Sequence, residues 1–405
     1  MQATNDQHRV PDRHGGSRFA AGPTSSPAPG ALAGLRVVDA SRILGGPLCG
    51  QILGDHGADV LKVEPPQGDD TRQWGPPFTE RGVASYYLGL NRNKRLLSLD
   101  LAASAGREAL LALLADADVL IENFKTGTME KWGLGHETLA QRFPRLIHCR
   151  VSGFGADGPL GGLAGYDAAV QALTGLMSVN GEAGGDALRV GLPVVDMVTG
   201  MNAAMGVMLA LLERQRSGRG QFVEAALYDS GLSLLHPHAA NWFLDGRSPH
   251  RTGNAHPNIY PYDSLRTGTE PVFFAVGNDR QFQILCRHIG AAALAEDARY
   301  ATAGARSTNR AGLKAELERR LARLDGQTLA TELVHKGVPA AVVMSVPQAL
   351  QHAHTRHRGM VVELPGGYRG VGAPVKLSRT PASYRFAPLT EGSEFLPRNH
   401  ERGDD

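Results

Sequence analysis

The stretch Arg145-Leu-Ile-His-Cys-Arg-Val151, followed by Ser152-Gly-Phe-Gly-Ala-Asp-Gly-Pro159 and Ala164-Gly-Tyr-Asp167, decides how the chain is read. The first part has the apolar character of a strand, and the second is a glycine-rich turn. An apolar run with helical spacing starts at Asp167 and extends over 167–176. Asp167 then stands at a helix start beyond the carboxyl end of a strand, where open α/β sheets bind ligands. An aspartate at a helix start also serves as an N-cap. Both readings, cap and reactive carboxylate, stand at this point.

Outward from this stretch the pattern repeats. Strands are predicted at 35–39, 58–64, 95–101 and 117–121, and helices at 47–56, 104–115 and 129–141. Such β-α alternation predicts an α/β fold, a Rossmann-like parallel sheet with helices on both faces. Beyond residue 176 the spacing predicts a long helix over 195–216 and mostly helical chain over 225–243. A loop-like stretch over 251–268 follows, then a strand at 271–276, helices at 280–289 and 309–324, and a strand at 340–344. The resulting division has a disordered N-terminal segment, 1–33, and a large domain, 34–200, with a return segment near 350–389. A helical linker spans 201–245, a smaller α/β domain 246–345, and a loose tail 390–405.

Composition narrows the function. The 405 residues are 42% hydrophobic with a formal net charge of +2, so no electrostatic footprint for nucleic acid is present. Uninterrupted apolar runs of membrane-spanning length are missing, and no membrane association is expected. Cys49, Cys149 and Cys286 are odd in number, far apart and set in apolar segments. They read as reduced, buried thiols of a cytoplasmic protein. The polar first residues lack the apolar core of a secretory signal.

The motifs exclude several chemistries. Leu44-Gly45-Gly46-Pro47 follows the first strand but is not the dinucleotide fingerprint, and neither G-x-S-x-G nor a P-loop occurs. His236, His238, His352, His354 and His357 lack acidic or cysteine partners at ligand spacing, so no metal site is expected. Arg72, Lys94, Arg95, Lys125 and Lys131 place positive charge near strand ends. They suit either a solvated surface or an anionic ligand carrying several phosphates.

Taken in order, several segments resemble the class III coenzyme A transferases, the CaiB–BaiF family, which also contains α-methylacyl-CoA racemases. These segments are Leu35-Arg-Val-Val-Asp39 with Gly46-Pro47, Gly57-Ala-Asp-Val-Leu-Lys-Val-Glu64 and Asn91-Arg-Asn-Lys-Arg95. Glu122-Asn-Phe124, Gly153-Phe-Gly155 with Gly165-Tyr-Asp167, and Gly218-Arg-Gly-Gln221 complete the set. The likeness runs from about residue 35 to 389. It implies an interlocked homodimer and a nucleophilic aspartate, Asp167, that carries coenzyme A as a thioester. Coenzyme A enters as part of the substrate, with no tightly bound cofactor, and the other partner is a small carboxylic acid.

The resemblance places coenzyme A near Leu44, Arg72, Leu99, Asn123, Phe124, Lys125, Lys131, Gly153, Phe154 and Gly155. It places the acyl group near Trp74, Tyr86, Gly253 and Asn254. Tyr166 stands where racemases carry histidine, which favours transfer over racemisation. Leu44 and Phe154 depart from the formyl-CoA transferase pattern, and Thr252-Gly-Asn-Ala-His-Pro-Asn258 replaces its polyglycine loop. Formate and oxalate are therefore not expected, and a succinyl or other dicarboxylic acyl group is. Two alternatives stay open, a racemase with His136 as a proton-exchange partner, and a noncatalytic acyl-CoA binding protein.

Overall fold

Val37, Val38, Val60, Leu61, Val63, Val119, Leu120 and Ile121 are all buried. Continuous apolar runs of this kind suit strands covered on both faces. In the computed structural model, which describes residues 30–389, they belong to one six-stranded sheet. Its strands are β1 (Arg36–Asp39), β2 (Asp59–Glu64), β3 (Lys94–Ser98), β4 (Val119–Glu122), β5 (Ile147–Ser152) and β6 (Phe222–Ala226). The order is β3-β2-β1-β4-β5-β6, and the pairs β1–β2, β1–β4, β2–β3 and β5–β6 are parallel. This is the doubly wound order that reverses direction between β1 and β4. The expected α/β class with a parallel sheet is observed. Of the disorder expected over 1–33, residues 30–33 form a turn instead, Leu32 donating to His56 O at 2.9 Å; 1–29 and the loose tail expected over 390–405 lie outside the described residues.

Several local expectations are corrected. The helix expected over 129–141 is two helices, Thr128–Lys131 and His136–Arg142, separated by Gly133 at φ +71°. The helix starting at Asp167 ends at Leu173. Alanine-rich chain expected to be helical from 225 instead begins with β6, whose residues pair with β5 from His148↔Phe222 to Ser152↔Ala226. Strand partnership outweighs local propensity there. Helices Leu227–Ser233 and His238–Asp245 follow.

Residues expected to be loop include a strand, β7 (Tyr262–Leu265). It pairs antiparallel with β8 (Val272–Ala275), and β8 pairs with β9 (Ala340–Val342). This small sheet shares one buried core running from Tyr260 to Val338, built on Phe274, Phe282, Leu285, Leu313, Leu317 and Leu333. Strands β10 (Val361–Leu364) and β11 (Tyr368–Val371) form a two-stranded sheet.

The chain divides into two compact units. One comprises Pro47–Ile121 with the chain up to Ile43 and from Val362 onward; the other comprises Leu44–Gly46 and Glu122–Val361. In the first, the C-terminal chain is tied to the Asn91–Lys94 turn. Arg92 donates to Val371 O at 2.6 Å, and Asn93 donates to Ser383 O at 2.8 Å and accepts from Arg385 N at 2.7 Å.

In the second unit, helix Val194–Ser217 packs on β5, β6 and Leu227–Ser233. By length and composition it is apolar enough to cross a membrane. Its buried face carries small residues, Gly200, Ala203, Ala204, Val207 and Ala210, which bring it close to the sheet. Met201, Met205, Met208, Leu209 and Leu212 are exposed.

Candidate active site

Two glycines set the position of Asp167. β5 ends at Ser152, and Ser152 Oγ accepts the amide of Gly155 at 3.0 Å, closing the turn. Gly155 sits at φ +81°, which favours glycine. A Cβ on Gly153 would lie 2.5 Å from Gly165 N and 2.9 Å from its Cα. The turn after β5 and the segment leading to Asp167 thus meet backbone to backbone, where no larger residue fits. The Gly153 carbonyl also accepts Tyr228 N at 3.0 Å.

Asp167 does not cap its own helix. Tyr166 is the N-cap residue, with no side-chain cap bond and with its ring 62% exposed. The Asp167 carboxyl, buried to 8% exposure, reaches a different helix. Its Oδ2 accepts the first-turn amides of Val195 at 2.8 Å and Asp196 at 3.1 Å, in helix Val194–Ser217. Gln171, one turn along, donates from Nε2 to Oδ1 at 2.6 Å. Gln171 is itself fixed, since its Oε1 accepts Val190 N at 2.8 Å and Nε2 also faces Leu192 O at 3.3 Å.

A carboxylate has about four lone-pair directions, so three donors leave one for chemistry. All three donors are neutral and come from the backbone or an amide, an arrangement that orients an anion without pairing it with a cation. Gln171 was legible as an i+4 neighbour of Asp167 on one helix face. The amides of Val195 and Asp196 were not, because a contact across 28 residues leaves no local signal.

Asp196, in the same helix turn, is half-buried. Burial first, and the charge of Asp167 second, push its carboxyl up to about 7.

At the exit of β4, Glu122 is fully buried. It accepts from Arg150 Nε at 2.5 Å and from the amide of Phe124 at 2.9 Å, and it lies 3.2 Å from His148 Nε2. Arg150 also reaches Glu130 at 2.9 Å. This cluster fixes the turn that presents Asn123 and Phe124, both half-buried, and Lys125, which is exposed. The Phe124 ring packs edge-on against Trp132 with centroids 5.2 Å apart. Lys131 ends helix Thr128–Lys131 and is exposed. Leu44 is buried at 3% exposure. Phe154 is half-buried, its ring 6.0 Å from Tyr228.

The other predicted residues fall into three groups. Trp74 and Tyr86 meet edge to face at 5.2 Å. Arg72 and Leu99 both meet Glu64, Arg72 through Nε at 2.8 Å and Leu99 through its amide to the Glu64 carbonyl at 2.8 Å. Arg72 also lines a cavity of about 200 Å³ with Pro66, Gly68, Leu96 and Ser98.

Gly253, at φ +61°, donates to Gly181 O at 3.0 Å, and Asn254 beside it is exposed. This loop is thereby tied to the segment that follows helix Leu176–Val179. With Gly155 donating to Ser152 and Gly253 to Gly181, neither amide faces a reacting oxygen in this conformation. His136 is not near Asp167. It packs 4.7 Å from Phe222, the first residue of β6, at the opposite strand end from the glycine turn. Burial, then His148, lower its pKa.

The comparisons with known proteins agree with one another. The profile of CoA-transferase family III matches residues 32–393. The chain is 39% identical to succinate–glutarate CoA-transferase of Agrobacterium fabrum, over 87% of this chain and 91% of that protein. It is also 39% identical to succinyl-CoA:mesaconate CoA-transferase of Haloarcula hispanica, over 89% and 94%. A CaiB/BaiF family crystal structure from Brucella suis superposes with a TM-score of 0.81 at 40% identity, covering 90% of this chain and 97% of that one. A matching profile over nearly the whole described chain, relatives of this closeness and a doubly wound sheet carrying a held carboxylate make this protein an enzyme of CoA-transferase family III.

Proposed function

We propose that the enzyme moves coenzyme A between carboxylic acids, with a dicarboxylic acyl group such as succinyl as donor, through a thioester on Asp167. The observation that carries this reading is the Asp167 carboxyl itself, held by three neutral donors with one lone-pair direction left over. The relatives named for succinate, glutarate and mesaconate support the dicarboxylate.

The Asp167 carboxylate attacks the thioester carbonyl, a C–O bond forms and the C–S bond breaks, giving a mixed anhydride and the thiolate. The thiolate then attacks the aspartyl carbonyl and expels the donor acid as its carboxylate. The acceptor carboxylate runs the same two steps in reverse. Each step exchanges one good leaving group for another, which is how covalent catalysis divides a difficult transfer. No general base is needed, because the nucleophile is an anion from the start.

Both anhydride-forming and thioester-forming attacks pass through tetrahedral oxyanions. The amides of Gly153 and Phe154 are the donors nearest the glycine turn, and one such donor is worth about 3 kcal/mol of barrier. Asn123, Phe124, Lys125 and Lys131 at the β4 exit hold the nucleotide end of coenzyme A, at the usual ligand edge of such a sheet. The family resemblance also assigns Leu44, Arg72 and Leu99 to coenzyme A, and Trp74, Tyr86, Gly253 and Asn254 to the acyl group.

The working protein is an interlocked cytoplasmic homodimer with no tightly bound cofactor. The exposed Met201, Met205, Leu209, Phe243 and Leu244 support a second copy covering this apolar surface. Sedimentation at nanomolar concentration is expected to find the dimer, and a folded monomer would refute it.

The test of function is a panel of labelled acids incubated with succinyl-CoA or acetyl-CoA, followed by hydroxylamine trapping and peptide mass analysis. Dicarboxylates are expected to accept coenzyme A, and the trapped modification is expected on Asp167. An unmodified Asp167, or full turnover in Asp167→Asn, would sink the mechanism.

A further inference from the structure

A second carboxyl stands beside the proposed nucleophile. Asp196 lies in the first turn of Val194–Ser217, and its amide is one of the two that Asp167 Oδ2 accepts, at 3.1 Å. The bond that holds Asp167 therefore places the Asp196 backbone against that carboxyl, near enough for the charge of Asp167 to act on the Asp196 carboxyl. That side chain is half-buried, and among the described residues no hydrogen bond or cation offsets its charge. Two carboxylates in so small a space cannot both ionise cheaply, and one retains a proton. Asp167 has three donors and Asp196 none, so Asp196 is the one that holds it.

Other groups do not compete for this role. The elements packed on the helix carry His148, Cys149 and Arg150 on β5, Glu224 on β6, and Tyr228 and Asp229 on Leu227–Ser233. Among the described residues only Asp167, in helix Asp167–Leu173, acts electrostatically on Asp196, adding to the burial that pushes its carboxyl up to about 7. Arg150 is committed to Glu122 and Glu130, and Arg189, on the preceding segment, donates to Val190 O. Leu44–Gly46, whose Gly45 approaches the Asp196 carbonyl, carries no charge.

We propose that Asp196 holds a proton while Asp167 is a carboxylate and releases it when Asp167 becomes a thioester, a positioning residue that keeps the site at one negative charge through the cycle. This rests on Asp167 being the nucleophile. In the first half-reaction the Asp167 carboxylate and the acyl-CoA become the aspartyl thioester and the donor carboxylate. One C–S bond breaks, another forms, one acyl oxygen comes from Asp167, and the reacting atoms gain or lose no proton. The negative charge leaves with the donor acid, and with it goes the repulsion that Asp167 adds to the burial of Asp196, so its proton is held less tightly. The proton passes to water. When the acceptor carboxylate enters, Asp196 takes a proton back, so the incoming anion does not meet a fixed one.

The test mixes the full-length enzyme with succinyl-CoA and no acceptor, in weak buffer with a pH indicator, somewhat below pH 7. Adduct on Asp167 is counted by mass in the same samples. Release of up to about one proton per adduct is expected, in step with adduct formation, and none in Asp196→Asn. Adduct without proton release in the wild type overturns the inference and leaves the nucleophile standing. Equal release in Asp196→Asn and wild type overturns it as well. Absence of adduct on Asp167 overturns the mechanism beneath it.

Asp196→Ser gives the same reading should the asparagine variant misfold. Steady-state kinetics provide a second arm. The wild-type kcat/KM for the acceptor acid is expected to fall with rising pH, up to about tenfold per unit, over a range that begins below about pH 7, because the acceptor meets the thioester form, in which Asp196 loses its proton more readily. In Asp196→Asn that fall is expected to be absent, whatever its absolute rate, and a fall of the same shape would refute the role.

Discussion

Two aspartates mark the ends of strands and are used in opposite ways. Asp39, the last residue of β1, is fully buried and surrounded by charge. Lys94 Nζ donates to it at 2.9 Å, and Lys62 lies close by, bonded to Ser41 O at 2.8 Å and to Asp69 at 3.2 Å. Burial pushes the Asp39 carboxyl up, but Lys94, Lys62 and Ser41 outweigh it, and the net is a lowered pKa. Asp167, beyond β5, is held by two amides and a glutamine, with no cation among those bonds. A buried carboxylate matched by ammonium groups is tied into structure, and removing one partner strands the other. A carboxylate held by neutral dipoles is oriented and still able to react. The kind of donor, more than the degree of burial, separates the structural acid from the proposed nucleophile.

The contrast breaks first at Asp167. Asp167→Asn is expected to lower kcat on the order of 10⁴-fold or more while the protein stays folded, as for loss of a covalent nucleophile. Circular dichroism alongside single-turnover assays reads both. Asn keeps an acceptor for the amides of Val195 and Asp196 but turns its NH2 toward the Gln171 donor, so the stability cost is about 1–3 kcal/mol. Lys94→Met tests the other side. It leaves Asp39 buried with its closest cation gone, and denaturant unfolding is expected to show a loss of about 3–5 kcal/mol. Surviving enzyme is expected to keep its KM for acyl-CoA. A stable Lys94→Met variant with altered substrate preference would reverse the assignment.

Asp196 sharpens the comparison through pH. Its carboxyl is pushed up, so between about pH 4 and about pH 7 the folded chain holds a proton that the unfolded chain has lost. The folded state binds more protons in that window, and this group's contribution to stability therefore declines as pH rises through it and levels off above about pH 7. Asp196→Asn escapes the decline. Its melting temperature is expected to exceed wild type by a few degrees at about pH 8, with the gap closing toward about pH 4. The smallest effect belongs to an exposed cation. Lys131→Glu is expected to weaken coenzyme A binding several-fold in dilute buffer and less in high salt, with little change in acceptor choice. Unchanged affinity at low salt would move the cofactor's binding surface away from the β4 exit.

Much of the architecture was readable from the chain. β1, β2 and β5 are apolar runs bounded by turn residues, and helix Ser104–Leu114 has clear periodicity, so local pattern and final structure coincide. β6 was unreadable because Phe222–Ala226 carries two alanines and leads directly into a helix. Only its pairing with β5 makes it a strand. β7 was hidden by the proline and asparagine residues around it and by the polar Asp263, which is buried because Lys314 reaches it at 2.8 Å. At the site, the glycine turn and Asp167 were legible as a motif. The Val195 and Asp196 amides, the second carboxyl and the Glu122–Arg150 cluster depend on segments far apart in sequence, and no local spacing encodes them.

The contact between Gly153 and Gly165 has a practical consequence for redesign. Because main chain rests on main chain there, that contact fixes the backbone leading to Asp167, and the Gln171 side chain then orients its carboxyl. Phe154 and Tyr166, each adjacent to one of those glycines, can then be exchanged to remodel the surroundings of the proposed nucleophile while its backbone stays in register. A library that varies those two positions and leaves both glycines alone explores new acids on a fixed chassis, whereas one that touches either glycine first has to rebuild it.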